Sequence, residues 1–166
     1  MDANVQKRLG LKELESKIVT ADEAAALISD GDVVGMSGFT RAGDAKVVPM
    51  ALVERAKNEN FKIDVYTGAS LGPEVDKYLA EAGVIRKRGP FQGDAGIRNL
   101  INSGDIQYVD AHLSHNAELV RQGIIGPIKY LILEAVAITE DGFIIQQTQW
   151  VTLRSLRNTQ KTLLLN

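Results

Sequence analysis

Two short segments of this chain carry glycine and hydroxyl side chains that could bind an anionic ligand. Residues 37–43 and 67–73 each contain two glycines with serine or threonine, and each leads into a predicted helix. Backbone N–H groups at a helix start, together with hydroxyls, can bind a phosphate or a carboxylate. Neither segment fits the P-loop or dinucleotide-binding pattern, so an ordinary strand-to-helix turn remains the alternative for both. The first contains Ser37, Gly38, Phe39 and Thr40, and the second contains Gly68, Ala69 and Ser70.

Both histidines lie within residues 110–115. A His-x-x-His pair can bind a metal ion, and Asp110, His112 and Ser114 are residue types of a catalytic triad. A zinc site needs a third and a fourth ligand, and a triad is defined by geometry rather than by adjacency. The sequence therefore favours ordinary loop histidines and predicts no metal site.

Glu134 lies inside an apolar run, where a buried carboxylate would have a raised pKa and could act as a base or a nucleophile. The favoured alternative places it at the exit of a strand, hydrogen-bonded to neighbouring backbone.

Arg86, Lys87 and Arg88 form a basic cluster, extended by Arg98, that could meet a phosphate-bearing ligand. An isolated basic triplet is more typical of a solvated surface, and this is the interpretation we expect.

Strand-like and helix-like segments alternate between residues 20 and 147, which predicts an α/β fold with a mainly parallel sheet flanked by helices. Thr20 and Glu23 form a capping box that begins the first helix. The apolar run 129–137 predicts a central strand that is buried on both faces. Ligands of such sheets bind at the carboxyl ends of the strands, where both candidate loops fall. The other predicted strands are 33–36, 62–66, 84–87, 106–109 and 143–147, and the other predicted helices are 47–58, 73–83, 94–102 and 116–122.

Composition excludes several classes of protein. The 166 residues are 45% hydrophobic and 24% charged, so a folded core is expected rather than a disordered or fibrous chain. A net charge of −2 offers no general attraction to nucleic acid or to anionic lipid. The absence of cysteine excludes disulfides, thiolate metal sites and a cysteine nucleophile within these residues. No signal peptide or membrane-spanning segment is evident, so we expect a cytoplasmic protein.

Five motifs in order give the chain a specific resemblance. The chain resembles the acetyl-CoA hydrolase/transferase family in five segments. These are residues 31–40, residues 42–49 with their Ala-Gly and Lys-Val-Val-Pro, residues 66–70, residues 110–114 and residues 134–142. This family includes succinyl-CoA:acetate and propionyl-CoA:succinate CoA-transferases. The resemblance covers roughly residues 12–145, and it implies a CoA-transferase-like domain related to the sugar-phosphate isomerases.

The resemblance also implies a mechanism and a missing part. Such enzymes are about three times longer than this chain, and a glutamate in their second domain attacks the acyl-CoA thioester. Glu134 does not match that glutamate, so no catalytic residue is expected here. Ser70 is the best candidate for a carboxylate or acyl contact, followed by the loop 37–40. Coenzyme A would enter as a substrate, with no bound cofactor, and the partner would be a C-terminal CoA-transferase domain or a second copy of the chain.

Residues 148–166 depart from the family pattern. After residue 142 there is no acidic residue, while Arg154, Arg157 and Lys161 are basic. Suitable codons for residues 149–166, read one base out of phase, can spell V-G-N-S-P-I-F-A-E-H-A-E followed by V-I-I-E, which resembles the family continuation. We therefore divide the chain into an N-terminal CoA-transferase domain, 1–147, and an aberrant tail, 148–166, that a frameshift would explain.

The leading functional prediction is the N-terminal half of an acyl-CoA:carboxylate CoA-transferase or acetyl-CoA hydrolase. It would use acyl-CoA and a small carboxylate such as acetate or succinate, and it would be inactive alone. The alternatives are a stand-alone module that binds CoA or a carboxylate, and one subunit of a split CoA-transferase.

Overall fold

A parallel sheet forms the centre of the molecule. The computed structural model describes residues 7–10, 12–145 and 162–165. Six of the described strands form this sheet: β1 Val33–Met36, β2 Ile63–Thr67, β3 Ile85–Gly89, β4 Gln107–Tyr108, β5 Tyr130–Leu133 and β8 Thr162–Leu165. All are parallel to their neighbours, and their order across the sheet is β4-β3-β2-β1-β5-β8. The predicted α/β fold with a mainly parallel sheet is confirmed.

Helices connect the strands as the sequence predicts. They are α1 (Ala21–Ala26), α2 (Val47–Ala56), a π-helix (Glu74–Leu79), α3 (Ala95–Asn102) and α4 (Leu113–Arg121), preceded by a 3₁₀ helix at Lys12–Lys17. Both hydrogen bonds of the capping box at Thr20 and Glu23 are present. The Asp94 side chain caps α3 by accepting from the backbone N–H groups of Gly96 and Ile97. Each cap is a contact within three residues of the chain, and the one at Thr20 is predicted from the sequence.

Two apolar clusters cover the two faces of the sheet. On one face, α1, α2, the π-helix and α3 pack against side chains such as Val34, Val65 and Ile132. On the other face, Val120 of α4 packs with Leu131 and Leu133 of β5. All four residues of β5 are buried, as expected for a strand covered on both sides. None of the helices in the described part of the chain is long and apolar enough to cross a membrane.

The strand predicted at 129–137 is shorter than expected and is not central. β5 ends at Leu133, because the next backbone N–H, that of Glu134, donates to the Ser37 side chain at 2.9 Å instead of continuing the ladder. The rest of the run enters a small antiparallel pair, β6 (Ala137–Ile138) with β7 (Ile144–Ile145). β5 lies next to the edge strand β8. The predicted strand 143–147 contains β7, which lies outside the parallel sheet, and its residues 146–147 lie outside the described residues.

A bulge in β3 decides where its basic side chains point. Ile63 pairs with Ile85, but Asp64 pairs with Lys87, so Arg86 is an extra residue in β3. One extra residue reverses the alternation of the side chains that follow it. Arg88, paired with Val65, consequently lies on the same face as Ile85, toward the π-helix.

The predicted tail falls mostly outside the described residues. Of residues 148–166, only 162–165 are described, and they pair in parallel register with β5. The proposed domain boundary at residue 147 also lies outside the described residues.

Candidate functional site

The two predicted ligand loops meet at the carboxyl edge of the sheet. Residues 37–43 follow β1 and residues 68–72 follow β2, and these strands are neighbours. The backbone N–H of Thr40 donates to the carbonyl oxygen of Ser70 at 2.8 Å, which joins the loops directly. This edge also includes a topological switch point, because β1 has β2 on one side and β5 on the other. Crevices at such points are the usual ligand sites of open α/β sheets.

The candidate residues differ in how accessible they are. Ser37, Gly38 and Ala69 are buried, Gly68 and Ser70 are half-buried, and Phe39 and Thr40 are exposed. The Ser37 hydroxyl donates to the carbonyl of Gly43 at 2.7 Å and accepts from the N–H of Glu134. Ser37 is buried and shapes the loop through these two hydrogen bonds. The Thr40 hydroxyl also donates within the chain, to the carbonyl of Phe39 at 2.6 Å, but Thr40 is exposed and Ser70 is half-buried, so these two hydroxyl residues are the more accessible ones.

Ser70 is held by two partners on different elements. Its hydroxyl donates to Asp76 Oδ2 at 3.1 Å, and its oxygen accepts the backbone N–H of Gly93 at 2.8 Å. Asp76 belongs to the π-helix and forms a fully buried ion pair with Arg88, at 2.9 Å from Nη2 to Oδ1. The expectation that Arg88 lies on a solvated surface is therefore wrong, since the bulge at Arg86 turns it inward.

The other two residues of the 86–88 triplet also have an acidic partner. Arg86 and Lys87 both approach Asp64, at 2.8 Å and 3.4 Å. Both side chains are only partly exposed, at 43% and 30%. The triplet 86–88 thus pairs with Asp64 and Asp76 and does not form a free basic surface.

A second buried carboxylate links the two loops. Asp44 Oδ2 accepts the backbone N–H of Gly72 at 2.6 Å, while Asp44 Oδ1 is buried with no hydrogen-bond partner among the described residues. Burial raises the pKa of Asp44 to about 6; the N–H of Gly72 and the charge of Lys46 oppose this shift, and the carboxylate of Glu74 adds to it. Asp44 is thus poised to bind a proton near neutral pH.

Glu134 lies at the exit of β5, as predicted, but its carboxylate has a side-chain partner. Lys46 Nζ lies 3.4 Å from both carboxylate oxygens, and it also donates to the carbonyl of Asp44 at 3.1 Å. The Glu134 side chain is 30% exposed. The expected hydrogen bond of this carboxylate to backbone is replaced by an ion pair, and only the backbone N–H of Glu134 bonds as a strand exit requires.

The histidines begin α4. His112 is the N-cap residue, and its Nδ1 lies 2.8 Å from the Ser114 hydroxyl. His112 and His115 are stacked obliquely with ring centroids 5.7 Å apart. Within residues 7–10, 12–145 and 162–165, no three histidine or carboxylate side chains are grouped as metal ligands.

Comparison with known proteins identifies the family of this chain. Residues 2–157 match the acetyl-CoA hydrolase/transferase N-terminal domain. The chain belongs to the acetyl-CoA hydrolase/transferase family. The resemblance that the five sequence motifs indicate is therefore confirmed.

Relatives of this family domain are much longer proteins. The chain is 45% identical over 145 residues to the succinyl-CoA:acetate CoA-transferase of Clostridium kluyveri, covering 86% of this chain and 27% of that protein. It is 39% identical over 129 residues to the propanoyl-CoA:succinate CoA transferase of Escherichia coli, covering 75% and 26%. The chain spans about a quarter of the length of the curated relatives it matches.

Solved structures share the fold of this family domain. RipA from Yersinia pestis superposes with a TM-score of 0.71 at 17% identity, covering 99% of this chain and 38% of RipA. An acyl-CoA transferase from Escherichia coli O157:H7, in thioester complex with CoA, superposes with a TM-score of 0.64 at 13% identity, covering 89% and 42%. At these identities the likeness shows a CoA-transferase fold.

Sequence reasoning missed the buried charges of the family domain's edge. Asp44, Asp76 and Arg88 were not selected as site residues, although they organise both loops. Asp76 and Arg88 are twelve positions apart and on different elements, so no local spacing reveals the pair. The signal that could have found it is the rule that a charged residue in a buried strand requires an opposite charge.

Proposed function

We propose that this chain forms the N-terminal part of an acyl-CoA:carboxylate CoA-transferase or acetyl-CoA hydrolase. The observation that carries the proposal is the 45% identity to a succinyl-CoA:acetate CoA-transferase over the segment that builds the two loops. On this proposal the carboxyl edge forms one wall of a cleft that takes acyl-CoA and a small carboxylate such as acetate or succinate. Coenzyme A enters as a substrate, and the proposal includes no bound cofactor.

Each loop has a role on this proposal. Ser70 contacts the carboxylate or acyl group through its hydroxyl, and Thr40 lies beside it because its N–H bonds the Ser70 carbonyl. Phe39, which is 40% exposed, offers apolar surface at the same edge. On this proposal the attacking glutamate belongs to the second domain that the family resemblance implies.

The isolated chain is therefore expected to be inactive. Incubation of the purified chain with acetyl-CoA and succinate should give no succinyl-CoA by liquid chromatography, under conditions in which the Clostridium kluyveri enzyme transfers CoA. Turnover that co-purifies with the chain and is lost in Ser70→Ala would refute the proposed dependence on a second domain.

A split enzyme is the second candidate. This chain covers 72% of a chain from the decarboxylase AibA/AibB, at a TM-score of 0.64 and 12% identity, so the fold also occurs in a chain not much longer than this one. Recovery of the tagged chain with a separate subunit, and CoA transfer by the pair, would support this candidate. A stand-alone binding module would instead bind acetyl-CoA or succinate tightly as a monodisperse chain in calorimetry.

We also propose that residues 148–166 replace the family's own continuation through a frameshift. The support is that suitable codons for residues 149–166, read one base out of phase, can spell a segment that resembles the family continuation. DNA sequencing from codon 140 through several hundred bases downstream tests this directly. A shifted frame that continues into a second domain with a candidate glutamate is the expected result, and a downstream sequence unlike the family in every frame would contradict it.

A further inference from the structure

We infer that Asp76 and Arg88 are positioning residues that hold Ser70 at the carboxyl edge and allow its hydroxyl, which donates to Asp76, to turn and donate to a ligand instead. The inference rests on the proposed function, in which Ser70 contacts a carboxylate or acyl group. It extends that function to two residues of the domain's interior, on the π-helix and on β3.

The buried pair binds the Ser70 loop at three consecutive residues. Arg88 Nη2 donates to the carbonyl of Ala69 at 3.2 Å, and the hydroxyl of Ser70 donates to Asp76. The backbone N–H of Leu71 donates to Asp76 Oδ2 at 2.6 Å. Asp76 and Arg88 are themselves 0% exposed. Such charge-assisted hydrogen bonds in a dry environment are stronger than neutral ones, so the pair fixes the path of the loop.

Asp76 accepts enough hydrogen bonds that it can lose the one from the Ser70 hydroxyl. Oδ1 accepts from Nε and Nη2 of Arg88, and Oδ2 accepts from the N–H of Leu71. If the Ser70 hydroxyl turns away, both carboxylate oxygens keep a donor, so no buried charge is left unpaired. Meanwhile the N–H of Gly93 still holds the Ser70 oxygen in place. The hydroxyl can thus rotate and donate to a ligand oxygen at little cost.

The test replaces the ion pair by apolar residues of similar size, in the double variant Asp76→Leu/Arg88→Met of the full chain. Such replacements of buried pairs are often neutral for global stability, so the fold should survive. Amide hydrogen exchange of Thr40 and Gly93 is then measured by NMR. Both N–H groups bond Ser70, and neither bonds Asp76 or Arg88, so they report the position of Ser70 itself.

We expect the amide hydrogens of Thr40 and Gly93 to exchange about tenfold or more faster than in the wild type. The exchange rate of Val34 in β1 should change only as far as the global stability of the variant changes. The matched control is Asp64→Asn/Arg86→Gln, which removes an ion pair between β2 and β3, the strand that also holds Arg88. Among the described residues, the hydrogen bonds and ion pairs of these two side chains do not involve the Ser70 loop. Faster exchange at Leu71 alone would overturn the inference, because that residue merely loses its acceptor.

A second variant tests the inference if the double variant does not fold. Arg88→Lys keeps the charge but lacks the planar fork that reaches Asp76 and Ala69 together, so it should raise the same two exchange rates. Exchange rates equal to those of the wild type would overturn the inference. Exchange in the ligand-free chain is independent of any turnover, so a failure of the proposed CoA-transferase activity would be seen separately, in the transfer assays.

Discussion

Gly38 is the position at which a single methyl group should perturb the candidate site most. A Cβ added there would collide with Asp44 Oδ1 and Leu71 Cδ2, and would lie 3.1 Å from Asp44 Cα. The backbone at Gly38 also has φ +140°, which side-chain-bearing residues rarely adopt. Gly38→Ala therefore combines overpacking with an unfavourable backbone conformation, at the point where the two loops meet.

The magnitude follows from these two costs. Overpacking costs about 1–3 kcal/mol and an unfavourable backbone conformation about 1–3 kcal/mol, so Gly38→Ala should lower the free energy of unfolding by roughly 4 kcal/mol. Gly83 is the matched control, because it also has positive φ, +72°, but an added Cβ would meet nothing within 4 Å. Gly83→Ala should cost only about 1–2 kcal/mol.

Urea unfolding followed by circular dichroism measures both variants. With a slope of about 2 kcal/mol per molar urea, the midpoint of Gly38→Ala should fall by about 2 M and that of Gly83→Ala by less than about 1 M. Equal midpoints for the two variants would refute the close packing of Asp44 and Leu71 around Gly38.

Three further predictions test separate parts of the structure. Because burial raises the pKa of Asp44 to about 6, above its usual 3.8, the stability that its protonation contributes is complete below about pH 4 and is lost as the pH rises through 6. The melting temperature of the wild type should accordingly fall relative to that of Asp44→Asn between pH 4 and pH 7. Melting temperatures that change in parallel with pH in the two proteins would contradict this. Thr20→Ala should lower the free energy of unfolding by about 1 kcal/mol in urea through loss of the capping box, and an unchanged midpoint would show that the cap contributes nothing. Glu134→Gln should change the free energy of unfolding by less than about 1 kcal/mol, since its partner Lys46 is 41% exposed, and a larger loss in urea would mean a stronger pair than the 3.4 Å separation indicates.

The contrast between α1 and β5 shows which features the sequence reveals. The start of α1 depends on Thr20 and Glu23, three residues apart, and both the prediction and the structure have it. The end of β5 depends on the Ser37 hydroxyl, 97 residues away, so the apolar run alone predicts a strand that is too long. Contacts between residues close in the chain can be predicted from the sequence, whereas contacts between distant segments can be identified only once the fold is known.

The candidate site divides in the same way. Both loops could be proposed from residue types and from the rule that ligands bind at the carboxyl ends of strands, and Ser70 could be selected among their residues through the family resemblance. The inward turn of Arg88 could not, because it follows from the bulge at Arg86 and from a partner on the π-helix. The sequence patterns therefore locate the edge, and the buried charges that support it emerge only from the packing.

The most direct test of the proposed function is a graft. Residues 1–145 would replace the corresponding segment of the Clostridium kluyveri succinyl-CoA:acetate CoA-transferase, and the rate of CoA transfer would be measured against acetate concentration. The graft should be active, and Ser70→Ala should raise its KM for acetate roughly tenfold or more through loss of a hydrogen bond to a charged ligand. Ser29→Ala, at an exposed position before β1, should leave the KM unchanged. A folded graft that transfers no CoA, or one whose KM is the same with Ser70 and with alanine, would contradict the account.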